Sequence, residues 1–184
     1  MNFANRILIY GVTGSGKTTL AKNLSEVTGL PWHEADSLTW EPGWVMVDDE
    51  EQRRRISEVC KGDRWILDTA YGKWLEVPLD RAELIVALDY PRWLSFGRLF
   101  KRTMLRLVDG QPICNGNRET LKNFFSKDAI LLWHFRSFKR KKARIEEFVA
   151  RDMPSVLRMR SPSQTEQWLR SLTPEDVLND QRRA

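Results

Sequence analysis

Short apolar runs alternate with longer stretches in which apolar residues recur every three or four positions. The runs at 6–10, 31–35, 64–68, 83–89 and 155–160 predict strands. The stretches at 17–27, 48–60, 91–107, 118–126, 127–149 and 163–171 predict helices. Punctuation agrees with these bounds. Gly29 suits the left-handed position after a helix. Asp48, Asp49, Glu50 and Glu51 suit the positive end of a helix dipole. Pro91 fits a first helical turn, and Ser161-Pro162-Ser163 a cap. Strand–helix alternation predicts an α/β layer fold with a parallel sheet. Two strands close on aspartates, Asp68 and Asp89, as buried parallel strands do when their C-terminal ends face a site. Neither repeats nor low-complexity tracts interrupt the pattern. One domain over 1–172 is expected, followed by a polar tail, 173–184. Turn formers at 108–117, between two basic helices, predict a small lid.

Between the first strand and the first helix the chain reads Gly11-Val-Thr-Gly-Ser-Gly-Lys-Thr18. This is the Walker A spacing G-x-x-x-x-G-K-[ST], set in the strand–loop–helix context that gives it meaning. Gly11, Gly14 and Gly16 let backbone N–H groups turn inward around phosphate oxygens, with Thr13 and Ser15 between them. The start of the helix, through Thr19, adds its positive dipole end. Lys17 reaches β- and γ-phosphates, and the Thr18 hydroxyl holds Mg²⁺. The expected ligand is MgATP. No Asn-Lys-x-Asp segment for guanine and no Leu-Ser-Gly-Gly-Gln segment occurs, which sets aside GTPases and transporter ATPases. A small P-loop kinase is the expected class.

Three further places resemble the adenylate-kinase-like group of P-loop kinases, over most of residues 5–172. Trp65-Ile-Leu-Asp68 matches a strand ending in an aspartate that orders Mg²⁺ through water. Ala87-Leu-Asp89-Tyr-Pro91 matches the strand end before the pre-lid helix, although Asp89 itself reads as structural. Arg98 and Arg102 fall where two arginines meet the ATP base and phosphates. Segments 30–40 and 65–71 are closer to a small bacterial branch labelled topology-modulation or adenylate-kinase-like proteins. The resemblance implies a five-stranded sheet of order 2-3-1-4-5 with helices on both faces. It also implies transfer of the γ-phosphoryl group of MgATP to an acceptor.

The acceptor side departs from that pattern. Thr39 and Gly72 stand where adenylate kinases place arginines on the acceptor phosphate. Lys73 and the run Arg53-Arg54-Arg55 are the nearby candidates to replace them. Asp36, after the second strand, either contacts an acceptor hydroxyl as general base or caps a turn. A lid arginine, Arg118 or Arg136, is expected on the transferring group. Arg140 and Arg144 share the face of Arg136 and read as solvated. The expected acceptor is therefore a small hydroxyl-bearing molecule. A true nucleoside monophosphate kinase, or a slow ATPase linked to nucleic acid, remain the alternatives.

Composition narrows this reading little further. The 184 residues are 41% hydrophobic and 30% charged, with a net charge of +5, the balance of a globular protein. The basic excess suits polyanions, nucleotides included, and does not by itself favour nucleic acid. Two separated cysteines, Cys60 and Cys114, suit a reducing compartment, and no apolar run reaches membrane-span length. A cytoplasmic protein is expected. Among eight tryptophans, Trp40, Trp44 and Trp74 fall in acceptor-side loops, while Trp32, Trp65, Trp93, Trp133 and Trp168 read as core. His33 and His134 read as structural.

Overall fold

The computed structural model describes residues 3–69, 71–109, 115–117, 130–151 and 154–172. Five strands form one parallel sheet: β1 (Arg6–Gly11), β2 (Trp32–Glu34), β5 (Trp65–Thr69), β6 (Leu84–Leu88) and β7 (Ser155–Met159). Their spatial order is β2-β5-β1-β6-β7. Counted along the chain within this sheet, that is 2-3-1-4-5, as expected. Helices α1 (Lys17–Thr28), α3 (Asp49–Lys61), α5 (Arg92–Asp109), α6 (Ile130–Val149) and α7 (Pro162–Ser171) surround it.

Residue alternation along the strands builds a core on each face of the sheet. Leu8, Tyr10, Leu67, Ile85 and Ala87 pack with Ile56 of α3, Trp74, and Ile145 and Phe148 of α6. Ile7, Ile9, Ile66, Val86 and Leu88 pack with Leu20, Ala21 and Leu24 of α1. Each large apolar side chain so buried contributes about 1.5–3 kcal/mol. The caps act as the sequence predicts. Gly29 closes α1 at φ 66°, Asp48 accepts from the Glu51 amide, and Ser161 accepts from the Gln164 amide.

Three elements were not expected. The second strand stops at Glu34, and the chain enters a short helix, α2 (Ala35–Thr39). A two-stranded antiparallel hairpin follows, β3 (Trp40–Glu41) with β4 (Val45–Met46). One further turn, α4 (Glu76–Leu79), precedes β6. The predicted helix at 118–126, residues 127–129, half of the predicted lid (110–114) and the 173–184 tail lie outside the described residues.

Trp93, which reads as core in the sequence, departs from expectation; for Trp74 the sequence leaves burial and recognition equally open. Trp74 is core, 1% exposed, with Nε1 donating to Gln52 and its ring stacked on Tyr71. Trp93 is 73% exposed, because it falls on the outer face of α5. Trp65 is buried and Trp32 and Trp168 are half-buried; the Trp133 side chain is outside the described ones. Among the described residues no helix is long and apolar enough to cross a membrane.

Candidate active site

The loop between β1 and α1 is held in its unusual shape by α5. At Gly14, φ is 82°, and a Cβ would lie 2.3 Å from the Ser95 carbonyl oxygen and 2.9 Å from Leu99 Cβ. Gly16 caps α1 at φ 95°, and no side chain bonds to the helix's first amides. The α1 N-terminus therefore keeps its donors and its positive dipole end for an anion. The first turn holds no acidic residue. Ser15 Oγ is buried with no hydrogen-bond partner among the described residues. Lys17 curls back over the loop, its Nζ donating to the Val12 carbonyl at 3.2 Å.

Parallel register brings the carboxylates to this loop. Asp68 pairs with Ile9 of β1 on one side and with Glu34 of β2 on the other. It is 3% exposed. Burial, opposed by the nearby Lys17 charge and a hydrogen bond from Thr18, pushes its carboxyl up to about 6. Oδ2 has no hydrogen-bond partner among the described residues. An orphaned carboxylate oxygen beside a threonine hydroxyl is the hard-oxygen chemistry that suits magnesium, so Thr18 and Asp68 fit a Mg²⁺ ion arriving with nucleotide. When bound, that ion would neutralise charge on the β- and γ-phosphates.

Lys17 is the electrostatic centre. Burial lowers its pKa, while Asp68, Asp36 and Glu34 pull it up and Arg102 pushes it down. Arg102 thus acts on Lys17, and the Arg98 guanidinium lies 3.6 Å from the position of a Gly16 Cβ. Arg98 also sits over the Tyr90 ring at 5.8 Å.

Asp36, whose charge also reaches Lys17, is exposed in the first turn of α2. Its Oδ1 accepts from the Tyr71 hydroxyl at 2.8 Å. That hydroxyl accepts from Trp40 Nε1 at 2.9 Å and lies 3.2 Å from Thr39 Oγ1. Burial, then the Asp36 charge, raises the Tyr71 pKa. Thr39 is buried, so this position offers no space for an arginine. The proposed substitutes are engaged elsewhere: Arg53 with Glu76, Arg54 with Glu51, Arg55 with Glu41 and Glu51, and Lys73 with Asp49. Asp89 is tied to Arg158 at 2.6 Å. His134 bonds Ser95 Oγ at 3.0 Å, and burial pushes its imidazole down to about 4.

Of the two lid arginines expected, Arg118 lies outside the described residues. Arg136 is exposed on α6, as is Arg140, and Arg144 pairs with Glu147. Sequence reasoning missed three residues here: Glu34, Tyr71 and Lys141. The first two are set by strand register and by a contact across 35 positions. Lys141 is buried on α6 and feels the charges of Lys17 and Asp36.

The family model for the AAA domain matches residues 7–90, the segment holding the phosphate loop, Asp36 and Asp68. A cytidylate kinase from Aeropyrum pernix is 27% identical over 135 residues, covering 65% of this chain and 74% of that protein. Solved structures share the fold. A shikimate kinase from Bacteroides thetaiotaomicron aligns with TM-score 0.55 at 16% identity, over 96% of this chain and 99% of that one. A sugar kinase from Janibacter sp. aligns with TM-score 0.53 at 19% identity, over 93% and 96%. A gluconokinase from Sinorhizobium meliloti aligns with TM-score 0.51 at 14% identity, over 100% and 95%. The chain has the fold of these P-loop kinases.

Proposed function

We propose that the protein transfers the γ-phosphoryl group of MgATP to a hydroxyl of a small acceptor held beside Asp36. The observation that carries this reading is that two carboxylates of different surroundings both act on Lys17. Asp68 is buried beside Thr18, on the metal side. Asp36 is exposed and oriented by Tyr71. The loop Gly11–Thr19 cradles the triphosphate, and Arg98 and Arg102 offset its charge. The acceptor oxygen attacks the γ-phosphorus in line, its proton passes to Asp36, and the bond to the bridging oxygen breaks to release ADP. Positioning and electrostatics supply most of the rate. The finer placement, in the small bacterial adenylate-kinase-like branch, rests on segments 30–40 and 65–71.

A second reading has its own support: the cytidylate kinase match favours a nucleoside monophosphate acceptor. The two are separated by chemistry at the acceptor phosphate. Two charge-assisted hydrogen bonds of roughly 1.5–3 kcal/mol each are missing at Thr39 and Gly72. At about 1.4 kcal/mol per factor of ten, their loss amounts to on the order of a hundredfold to ten-thousandfold. A coupled ADP-release assay across AMP, CMP, nucleosides and small hydroxylated acids and sugars tests the proposal. The expected result is turnover with a hydroxylated non-nucleotide. Efficient turnover of AMP or CMP, at a kcat/KM of about 10⁵ M⁻¹s⁻¹ or above, overturns it in favour of the second reading.

A further inference from the structure

The buried face of α6 is a stripe at positions 134, 137, 141, 145 and 148, spaced as one side of a helix demands. Its occupants are His134, Ser137, Lys141, Ile145 and Phe148. Ile145 and Phe148 belong to the core beneath the sheet, and His134 and its neighbours bind α5. Lys141 lies between these two ends. It is 4% exposed, and among the described residues no carboxylate forms an ion pair with it. Packing alone gives no reason for an ammonium there, since leucine or methionine would fill the same space without a charge to desolvate.

We propose that Lys141 is the cation that meets the γ-phosphoryl group during transfer, the task the sequence resemblance gives to a lid arginine. The proposal rests on the phosphotransferase reading above and names a residue of that same site. Geometry and charge place it there. His134, on the same buried stripe, bonds Ser95 of α5, and the Ser95 carbonyl abuts Gly14 of the phosphate loop. Lys141 is coupled to Lys17, which marks the phosphate loop, and to Asp36, which marks the acceptor side. A group influenced by both borders the path between them. The expected arginines do not compete among the described residues, because Arg136 points to solvent.

The charge state agrees with a group awaiting an anion. Burial, reinforced by Lys17 of α1 and Arg140 of its own helix and opposed by Asp36 of α2, brings the Lys141 ammonium down to about 7. A γ-phosphate beside it adds negative charge and favours the ammonium form. Lysine serves as a compact point charge here, where arginine would bring a fork. Lys141 moves no proton in the step; its contribution is charge on the group in flight.

The test compares ligands that differ in the γ-phosphate alone. Calorimetry with MgADP and with the magnesium complex of the β,γ-imido ATP analogue is run on wild type, Lys141→Met and Lys141→Arg. Lys141→Met is expected to bind the analogue about tenfold to a hundredfold more weakly, the scale of one charge-assisted hydrogen bond. Its MgADP affinity stays within about twofold, since that ligand does not reach the ammonium. Lys141→Arg retains most of the preference for the analogue. NMR of the ¹³C-methylated lysine gives a second readout: the Lys141 pKa rises with the analogue and not with MgADP. Equal weakening of both ligands, or of neither, overturns the proposal, as does a resonance that ignores the analogue. Wild type that binds neither ligand sinks the phosphotransferase reading itself, which is a distinguishable result.

Discussion

A methyl group added at Gly14 meets the Ser95 carbonyl and Leu99 of α5, so α5 must shift before the loop can accept it. Gly43 has a similar φ, 83°, with nothing within 4 Å of the same methyl. The pair separates strain from contact. Gly43→Ala is expected to cost about 1–2 kcal/mol for the left-handed backbone alone. Gly14→Ala adds about 1–3 kcal/mol of overpacking and loosens Arg98 and Arg102, which ride on the displaced helix. Denaturant unfolding with MgADP calorimetry checks this: only the Gly14 variant should lose nucleotide affinity, by about tenfold or more. Equal affinities in the two variants would show that the α5 contact is irrelevant to binding. The phosphate loop was legible in the sequence because its chemistry is local: a fixed spacing of glycines, one lysine and one hydroxyl dictates the shape. Asp68 was legible because the apolar run before it fixes its place at a strand end. Lys141 was not. The arginines at 136, 140 and 144 form the more visible row, yet the row that faces the core is offset by one residue, through 137, 141 and 145. The helix is polar on most sides, so its sequence does not show which side is buried.

Short elements with no apolar run of their own, such as α2, α4 and the β3–β4 hairpin, carry too little periodicity to be read from sequence. The β3–β4 hairpin illustrates what fixes them instead. Asn117, buried and more than seventy positions away, accepts from the Trp44 amide at 2.8 Å and donates to the Glu41 carbonyl at 3.0 Å. Asn115 donates to the carbonyls of Ser37 and Trp40. Trp44, at φ 59°, packs edge-on against Trp40, whose indole N–H bonds Tyr71. The segment ahead of α6 therefore clasps the hairpin that orients Tyr71 and Asp36. Asn117→Ala is expected to raise amide exchange at Trp44 and across 40–47 by about tenfold or more, from loss of about 1–3 kcal/mol of local hydrogen bonding. MgADP binding should hold, because the phosphate loop lies on another element. Acceptor-dependent turnover should fall. Unchanged exchange at Trp44 would mean the clasp does not hold the hairpin.

For the molecule as a whole, two buried charges that have no salt-bridge partner among the described residues set stability against function. Asp68 is pushed up to about 6 by burial, and Lys141 is brought down to about 7 by burial. The signs are opposite in pH. A carboxyl raised in the folded state favours folding below its ordinary value near 3.8 and loses that contribution as pH rises through about 6. An ammonium lowered in the folded state favours folding above its ordinary value near 10.5 and loses that contribution as pH falls through about 7. Near neutral pH, without nucleotide, the protein thus carries the cost of both. Asp68→Asn and Lys141→Met should each raise the melting temperature in EDTA at neutral pH by a few degrees, at roughly 2–4 °C per kcal/mol for a domain of this size. The Asn advantage should grow as pH rises from 4 to 7. The Met advantage should shrink as pH rises from 7 to 10, where Lys17, Asp36 and Arg140 remain as neighbours but Lys141 itself is neutral. The double variant should then gain less than wild type from the magnesium complex of the imido analogue, because ligand stabilisation follows the affinity those charges provide. Scanning calorimetry over pH 4–10 decides the matter. Variants less stable than wild type throughout, or two variants with the same pH trend, would show that these groups are held by partners in the fold and are not reserved for a ligand.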